Sequence, residues 1–389
     1  MKKILFIIDT VEVGGATKLT LDLINNLDKT KYSYSILYLN ATRFGSDDLL
    51  NYFGIEENAE LLRYEKFRSI KRILYLYKNF RKFDLVHSCM EQANFYSSFV
   101  KMLPFSNFKL VITFHGLDSS YIEDMSLIKP PKASFIHTLI MKHLQNLLFK
   151  RVNLFIAVCE SIKYYLIKYR KVNEDKIKVI FHGLNIEYMD ELMNKVKDFN
   201  LIDKKQRTEF KIGYIGRLGY SKGLEGFIDI LPNVYKSIPN LKVTVKGDGE
   251  LKEYLINKSS ELSLSEIIEF ENFDKGVVEF YQKTDLMVLP SYYETTNLTI
   301  LESMYSGTMV LCSDAGGLPE IVKNNFNGFM FKTGDFDELA QKIFEISEMD
   351  NEKIKVIREN AFDTVNSKFN FNKNSVKIEK LFDELINSE

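Results

Sequence analysis

The chain has 389 residues, room for about two to three domains at ~150 residues each, and its 45% of hydrophobic residues supports sizeable cores and argues against global disorder. A formal net charge of −1 argues against nucleic acid as a bulk partner. Cys89, Cys159 and Cys312 lie far apart without CxxC or finger spacing, which argues against a disulfide framework or a zinc site and fits a reducing, cytoplasmic setting.

Lys2 and Lys3 precede a short apolar run that Asp9 stops. It is too short for a signal peptide, and no stretch reaches the ~18 apolar residues of a membrane span. KKILFIID instead predicts a first strand, continuously apolar and β-branched as when both faces are covered. Gly14–Gly15 then leads into an amphipathic helix, TKLTLDLINNL. A glycine pair at a strand-to-helix turn is either a plain tight turn or a place where backbone approaches a ligand closely. The alternation continues: strand YSILYLN, helix SIKRILYLYKNF, strand DLVHSC, helix EQANFYSSFVKML and strand KLVITFHG. Helix ASFIHTLIMKHLQNLLFKRV, strand LFIAVC, helix SIKYYLIKY and strand KIKVIFHGLN complete the first half. Such βαβ alternation predicts a parallel sheet with helices on both faces, with ligands at the carboxyl ends of the strands. His115 and His182 stand at such ends, each followed by glycine, whereas His87 reads as structural.

Residues 129–151 contain no Asp or Glu but carry Lys129, Lys132, Lys142, Lys150 and Arg151 along an apolar helical repeat. A second basic segment runs from Arg63 to Lys82. These stretches are either core-facing helix with a solvated basic edge or a surface for anionic membrane.

Residues 186–208 are charged, lack a strand pattern and read as a connector around one short helix. The domain assignment is 1–190, a linker over 191–208, and a second domain over 209–370. There the alternation restarts with FKIGYIG, GLEGFIDILPNVYKSI, LKVTVKG, GELKEYLINKSSEL, IIEFEN, VVEFYQKT and DLMVLP, and continues through TMVLCSD, GLPEIV and GFMFK. GRLGYSKG sets Gly216, Arg217 and Lys222 in the loop after the first of these strands, where two cations beside helix N–H groups can hold a pyrophosphate. KGDGEL and CSDAGGLPEIV are further glycine-bearing turns. PSYYETTNLTILESMYSG leaves a strand, crosses a polar loop and enters a helix near Leu298. Glu294 and Glu302 bracket that turn, and Thr295, Thr296 and Asn297 occupy the helix start. A helix N-terminus suits a phosphate, and the carboxylates can accept hydrogen bonds from sugar hydroxyls.

GRLGYSKG, GDGE, the Glu294/Glu302 pair and SDAGGLPEIV, with GGA, TFHG, AVCES and HGLN before them, resemble the retaining GT-B glycosyltransferases of family 4. The resemblance spans nearly the whole chain and is strongest over about 210–330. It implies an α/β GT-B fold of two Rossmann-like, doubly wound domains facing across a cleft, with residues 371–389 forming a helix that crosses back to the first domain. It implies that Arg217 and Lys222 bind the donor diphosphate with Gly15 and Gly216 nearby, that Glu302 accepts from the ribose, that Glu294 meets the donor sugar, and that the Thr296, Asn297 and Leu298 backbone faces sugar or phosphate. It places His115 near the reacting centre and implies no metal or other cofactor.

Three departures stand out. The usual glycine-aromatic-glycine after the first carboxylate is Thr295-Thr296-Asn297, Thr17 replaces an acid, and His182-Gly183-Leu184-Asn185 lacks a carboxylate, so His182 receives no catalytic role. The resulting expectation is a retaining transferase that moves a sugar from a nucleotide-sugar, a UDP-sugar in first place, to a glycan or lipid-linked acceptor in bacterial surface polysaccharide synthesis. The expected location is cytoplasmic, with contact to the inner face of the membrane. The rival readings are a non-catalytic nucleotide-sugar-binding partner subunit and a GT-B sugar-nucleotide epimerase.

Overall fold

A computed structural model describes residues 1–9, 15–39, 60–63, 70–117, 143–195, 208–273 and 276–388. Among the described residues, thirteen strands form two wholly parallel sheets. The first contains β1 (Lys2–Ile8), β2 (Tyr32–Tyr38), β3 (Glu60–Arg63), β4 (Leu85–Cys89), β5 (Lys109–Phe114), β6 (Leu154–Ala157) and β7 (Ile177–Val179), in the order 3-2-1-4-5-6-7. The second contains β8 (Phe210–Ile215), β9 (Leu241–Lys246), β10 (Ile268–Glu271), β11 (Leu286–Leu289), β12 (Met309–Ser313) and β13 (Phe329–Phe331), in the order 10-9-8-11-12-13.

Each order reverses once, beside β1 and β4 in the first sheet and beside β8 and β11 in the second. Chain leaving the two strands at a reversal runs to opposite sides, so a crevice opens at their carboxyl ends. In the first sheet the Asp9 carboxylate stands there and accepts from the backbone N–H groups of Gln92 (3.0 Å) and Ala93 (2.6 Å), at the start of helix Glu91–Met102. In the second sheet the same position is taken by the loops after Ile215 and after Leu289.

The central strands read as uninterrupted apolar runs because both their faces are covered. Leu5, Ile7, Val86, Leu110 and Ile112 are core in the first sheet, as are Ile212, Val243, Val288 and Leu311 in the second. Within the first unit, the C-terminal helix Phe371–Asn387 packs on the sheet and its neighbours. Phe382 is fully buried with its ring 5.4 Å from that of His87, Asn26 donates to Ser375 (3.3 Å), and Glu379 accepts from Lys31 (3.2 Å).

The chain changes unit between His182 and Gly183, so the expected boundary at 190 is corrected: it falls inside helix Ile186–Lys195. That helix buries Met189 and accepts through Asp190 from the Tyr305 hydroxyl (2.7 Å), contacts that tie it to the second unit. The linker assigned to 191–208 thus begins as helix, and 196–207 lies outside the described residues. The basic stretches lie partly outside too, with Lys129, Lys132 and Lys142 in one and Lys66 and Arg68 in the other. Lys150 and Arg151 follow a helical turn over 143–149 and are exposed. All three cysteines are buried and free, and among the described residues no helix is long and apolar enough to cross a membrane.

Candidate functional site

At the reversal of the second sheet, β8 is followed by Gly216 with φ +151, a backbone state that side chains rarely adopt. The Tyr214 hydroxyl donates to the Arg217 carbonyl (2.9 Å), and Leu218 N–H donates to the Asp248 carbonyl (2.8 Å). A Cβ on Gly247 would stand 1.9 Å from the Gly216 oxygen. The GDGE glycine therefore serves the close approach of this turn to GRLGYSKG. After a 3-10 turn over Tyr220–Lys222, Gly223 takes the left-handed state and starts helix Leu224–Ser237. Tyr292 N–H donates to the Ser221 carbonyl (2.9 Å), joining this loop to the one after β11.

The two loops meet at Glu294. Its Oε1 accepts from Lys222 Nζ (2.6 Å), Asn297 Nδ2 (2.9 Å) and Ser291 Oγ (3.1 Å). Glu294 is 9% exposed. A carboxylate so withdrawn from water needs an opposite charge and hydrogen-bond donors, and this cluster supplies both. Its backbone is fixed as well: Gly317 N–H donates to the Glu294 carbonyl (2.9 Å), and a Cβ on Gly316 would come within 2.0 Å of that oxygen. The turn in SDAGGLPE thus acts as a support for Glu294. Burial first, and then Glu294, raises the Tyr214 phenol and the Cys312 thiol far above their ordinary range, so both stay neutral.

Asn297 caps helix Leu298–Tyr305, accepting from Ile300 N–H at 3.1 Å, so the helix begins where the sequence predicts. Glu302, inside the helix, accepts from the Tyr281 hydroxyl at 2.7 Å. Arg217 is exposed, and among the described residues no carboxylate pairs with its guanidinium. Thr296 and Leu298 are half-buried beside the cap.

The remaining candidates lie in the first unit. Gly15 is the exposed first residue of helix Gly15–Asn26, and the loop before it is outside the described residues. His115 and His182 have ring centroids 4.6 Å apart. Burial lowers His115 to about 4 and, aided by the neighbouring histidines, drives His182 well below the usual histidine range, so at neutral pH both rings are uncharged. His87 is buried and bonds Thr113 Oγ1 through Nε2 at 2.7 Å, a structural contact.

The structure thus brings Lys222, Glu294 and Asn297 into one network with Ser291, and sets Tyr281 on Glu302 and Tyr214 on the Arg217 carbonyl, three partners that the sequence reading did not single out. Ser291 could have been found as the first residue beyond Pro290 after a strand end; nothing in the sequence marks the two tyrosines. Among the described residues no acidic, histidine and cysteine side chains cluster as a metal site would require.

Residues 13–188 match the family described as Glycosyltransferase Family 4, and residues 196–364 match that described as Glycosyl transferases group 1. An uncharacterized glycosyltransferase of Methanocaldococcus jannaschii is 30% identical over 189 residues, and that match spans only about half of each protein, 48% of both. The UDP-Gal:alpha-D-GlcNAc-diphosphoundecaprenol alpha-1,3-galactosyltransferase of Escherichia coli is 24% identical over 82% of this chain and 80% of its own. The crystal structure of Anabaena Alr3699/HepE in complex with UDP superposes with a TM-score of 0.78 over 99% of this chain and 100% of its own, at 19% identity.

Proposed function

The chain belongs to the GT-B glycosyltransferases, and from that premise we propose that it transfers a sugar from a UDP-sugar to a hydroxyl of a lipid-linked or glycan acceptor, retaining the anomeric configuration. The observation that carries this reading is the pairing of Lys222 with Glu294 where the order of the second sheet reverses. A cation held by a buried carboxylate is already desolvated and fixed in place. An ammonium has three N–H donors, and with one given to Glu294 two remain for phosphate oxygens. Arg217, exposed in the same loop, adds a planar fork suited to a second phosphate.

In the proposed reaction the bond between the sugar C1 and the diphosphate oxygen breaks, and the diphosphate leaves with the electron pair. The acceptor oxygen bonds to C1 on the same face and gives its proton to the departing phosphate. Arg217 and Lys222 stabilise the developing charge, which is the part a metal would otherwise play. Glu302, steadied by Tyr281, takes the ribose hydroxyls, Glu294 takes a sugar hydroxyl, and the backbone at Thr296–Leu298 lines the sugar. The family resemblance assigns Gly15 and His115 to the same reaction. UDP as the nucleotide carrier is supported by the UDP bound in the Anabaena structure, and a diphosphate-lipid acceptor by the name of the Escherichia coli enzyme. Work on such an acceptor in surface polysaccharide synthesis would set the protein at the inner face of an anionic membrane.

The reading is tested by incubating the protein with UDP-sugars and an undecaprenyl-diphosphate-linked acceptor, with and without EDTA, and determining the product anomer by NMR. EDTA-resistant transfer with retained configuration is expected. UDP-sugar consumption without acceptor would point to an epimerase, and binding without turnover to a partner subunit.

A further inference from the structure

We propose that Asn297 is a positioning residue that orients the Glu294 carboxylate, reserving one oxygen for the protein and leaving the other for a single hydroxyl of the donor sugar. This deepens the proposed donor site and rests on that reading.

The Asn297 side chain bridges two features. Its Oδ1 accepts from Ile300 N–H (3.1 Å), and its Nδ2 donates to Glu294 Oε1 (2.9 Å). The orientation of the amide follows from these partners, because a backbone N–H can only donate and an ionised carboxylate can only accept. The side chain therefore ties Glu294 to the first turn of a helix whose interior residues Ile300, Leu301 and Met304 are fully buried. A carboxylate oxygen has about two lone-pair sites, and Oε1 already receives Lys222, Ser291 and Asn297. Any further donor is directed to Oε2, which receives no hydrogen bond among the described residues. With all three donors on one oxygen, the carboxylate cannot rotate without breaking the whole set.

The consequence is directional. One lone-pair-rich oxygen, fixed in rotation, selects a sugar hydroxyl by its position on the ring rather than by hydrogen-bonding capacity alone. Lys222 and Ser291 by themselves would hold Oε1 from one side of the loop. Asn297 adds a hold from the helix. Where the resembling family has glycine at this position, no side-chain amide exists to do this, so the tie belongs to this chain.

The test compares UDP with UDP-glucose and UDP-galactose by calorimetry on the whole 389-residue wild-type chain, N297S and E294Q. Serine caps a helix as well as asparagine but has no amide to donate, so the cap is kept and the tie to Glu294 is lost. N297S should bind UDP within about twofold of wild type and lose about tenfold in affinity for the sugar nucleotide that wild type prefers, the size of one hydrogen bond to a charged group. In the E294Q background the same change should add nothing, because the two residues act as one unit. N297G, with glycine also tolerated at a helix start, carries the same expectation if N297S does not fold. An equal fall for UDP and sugar nucleotide, an unchanged sugar-nucleotide affinity, a full additional loss in the double variant, or wild type binding neither sugar nucleotide more tightly than UDP would each overturn the role of Asn297. Wild type that binds none of UDP, GDP and ADP overturns the donor site itself, and this inference with it.

Discussion

Gly223 and Pro290 are in backbone contact: a Cβ on Gly223 would come within 2.0 Å of the Pro290 carbonyl oxygen, and Gly223 has φ +67. The residue before Gly223 is Lys222, and the loop after Pro290 carries Glu294. The alanine variant Gly223→Ala would combine a left-handed strain with a clash against backbone that cannot retreat. We expect a loss on the order of 3 kcal/mol or more in urea unfolding, and a fall in nucleotide affinity because Lys222 is displaced. A variant of wild-type stability would show that the two loops are not locked in this way.

Variants of Lys222 and Arg217 are expected to differ in stability, though both residues are proposed to serve the donor. Lys222→Ala leaves the buried Glu294 charge without a counter-ion, which should destabilise the protein by about 3–5 kcal/mol. Arg217→Ala removes an exposed side chain and should change stability by no more than about 0.5 kcal/mol. Both should abolish transfer. Near-normal turnover in Arg217→Ala would remove it from the diphosphate.

Acid should destabilise the first unit through its histidines. A histidine in the unfolded chain binds its proton near pH 6.5, whereas burial holds folded His115 down to about 4 and His87 to about 3. Since the folded pKa is depressed, the stability these rings contribute is full above pH 6.5 and is lost as the pH falls through 6.5 towards 4 and 3. His115 alone is worth ~3 kcal/mol across that range. Asp22 opposes this, because burial raises its carboxyl from 3.8 to about 6 and the strain of its charge is relieved as the pH falls from 6 to 3.8. Asp22→Asn should therefore stabilise the protein at pH 7 and make the acid loss steeper. Urea unfolding at a series of pH values measures both. A flat profile between pH 6.5 and 4 in the variant would contradict the neutral-histidine assignment.

Tyr281→Phe removes the hydroxyl that donates to Glu302 and should raise the donor KM by about tenfold, while kcat stays within about twofold. An unchanged KM would separate Glu302 from the ribose.

Much of the fold was legible because its signals are local. Continuous apolar runs mark strands covered on both faces, and the polar residue Asn297 before an apolar helix marks a cap, so the helix start at Leu298 could be read directly. The four-residue strand β3 is too short to stand out, and the boundary at 190 was missed because the charge of 186–195 hides one anchored face carrying Met189 and Asp190. In the site, residue types were legible and their partners were not. Gly247 and Gly316 read only as glycine-bearing turns, and the sequence does not show that they make room for the Gly216 and Glu294 carbonyls, contacts between loops remote in sequence. The pairing of His115 with His182 and the convergence of Lys222, Ser291 and Asn297 on one oxygen arise in the same way, from packing that no local pattern encodes.

Lys222 and Arg217 are the residues proposed to hold the diphosphate of a nucleotide-sugar in the second unit. Calorimetric titration of UDP, in parallel with GDP and ADP, into wild type and into Arg217→Ala tests this role most directly, since the exposed arginine can be removed without disturbing the fold. If they do, UDP should bind wild type in preference to the other two, and its affinity should fall by about tenfold or more in Arg217→Ala at unchanged thermal stability. Equal affinity for UDP in the two proteins, or no binding of any nucleoside diphosphate to wild type, would contradict it.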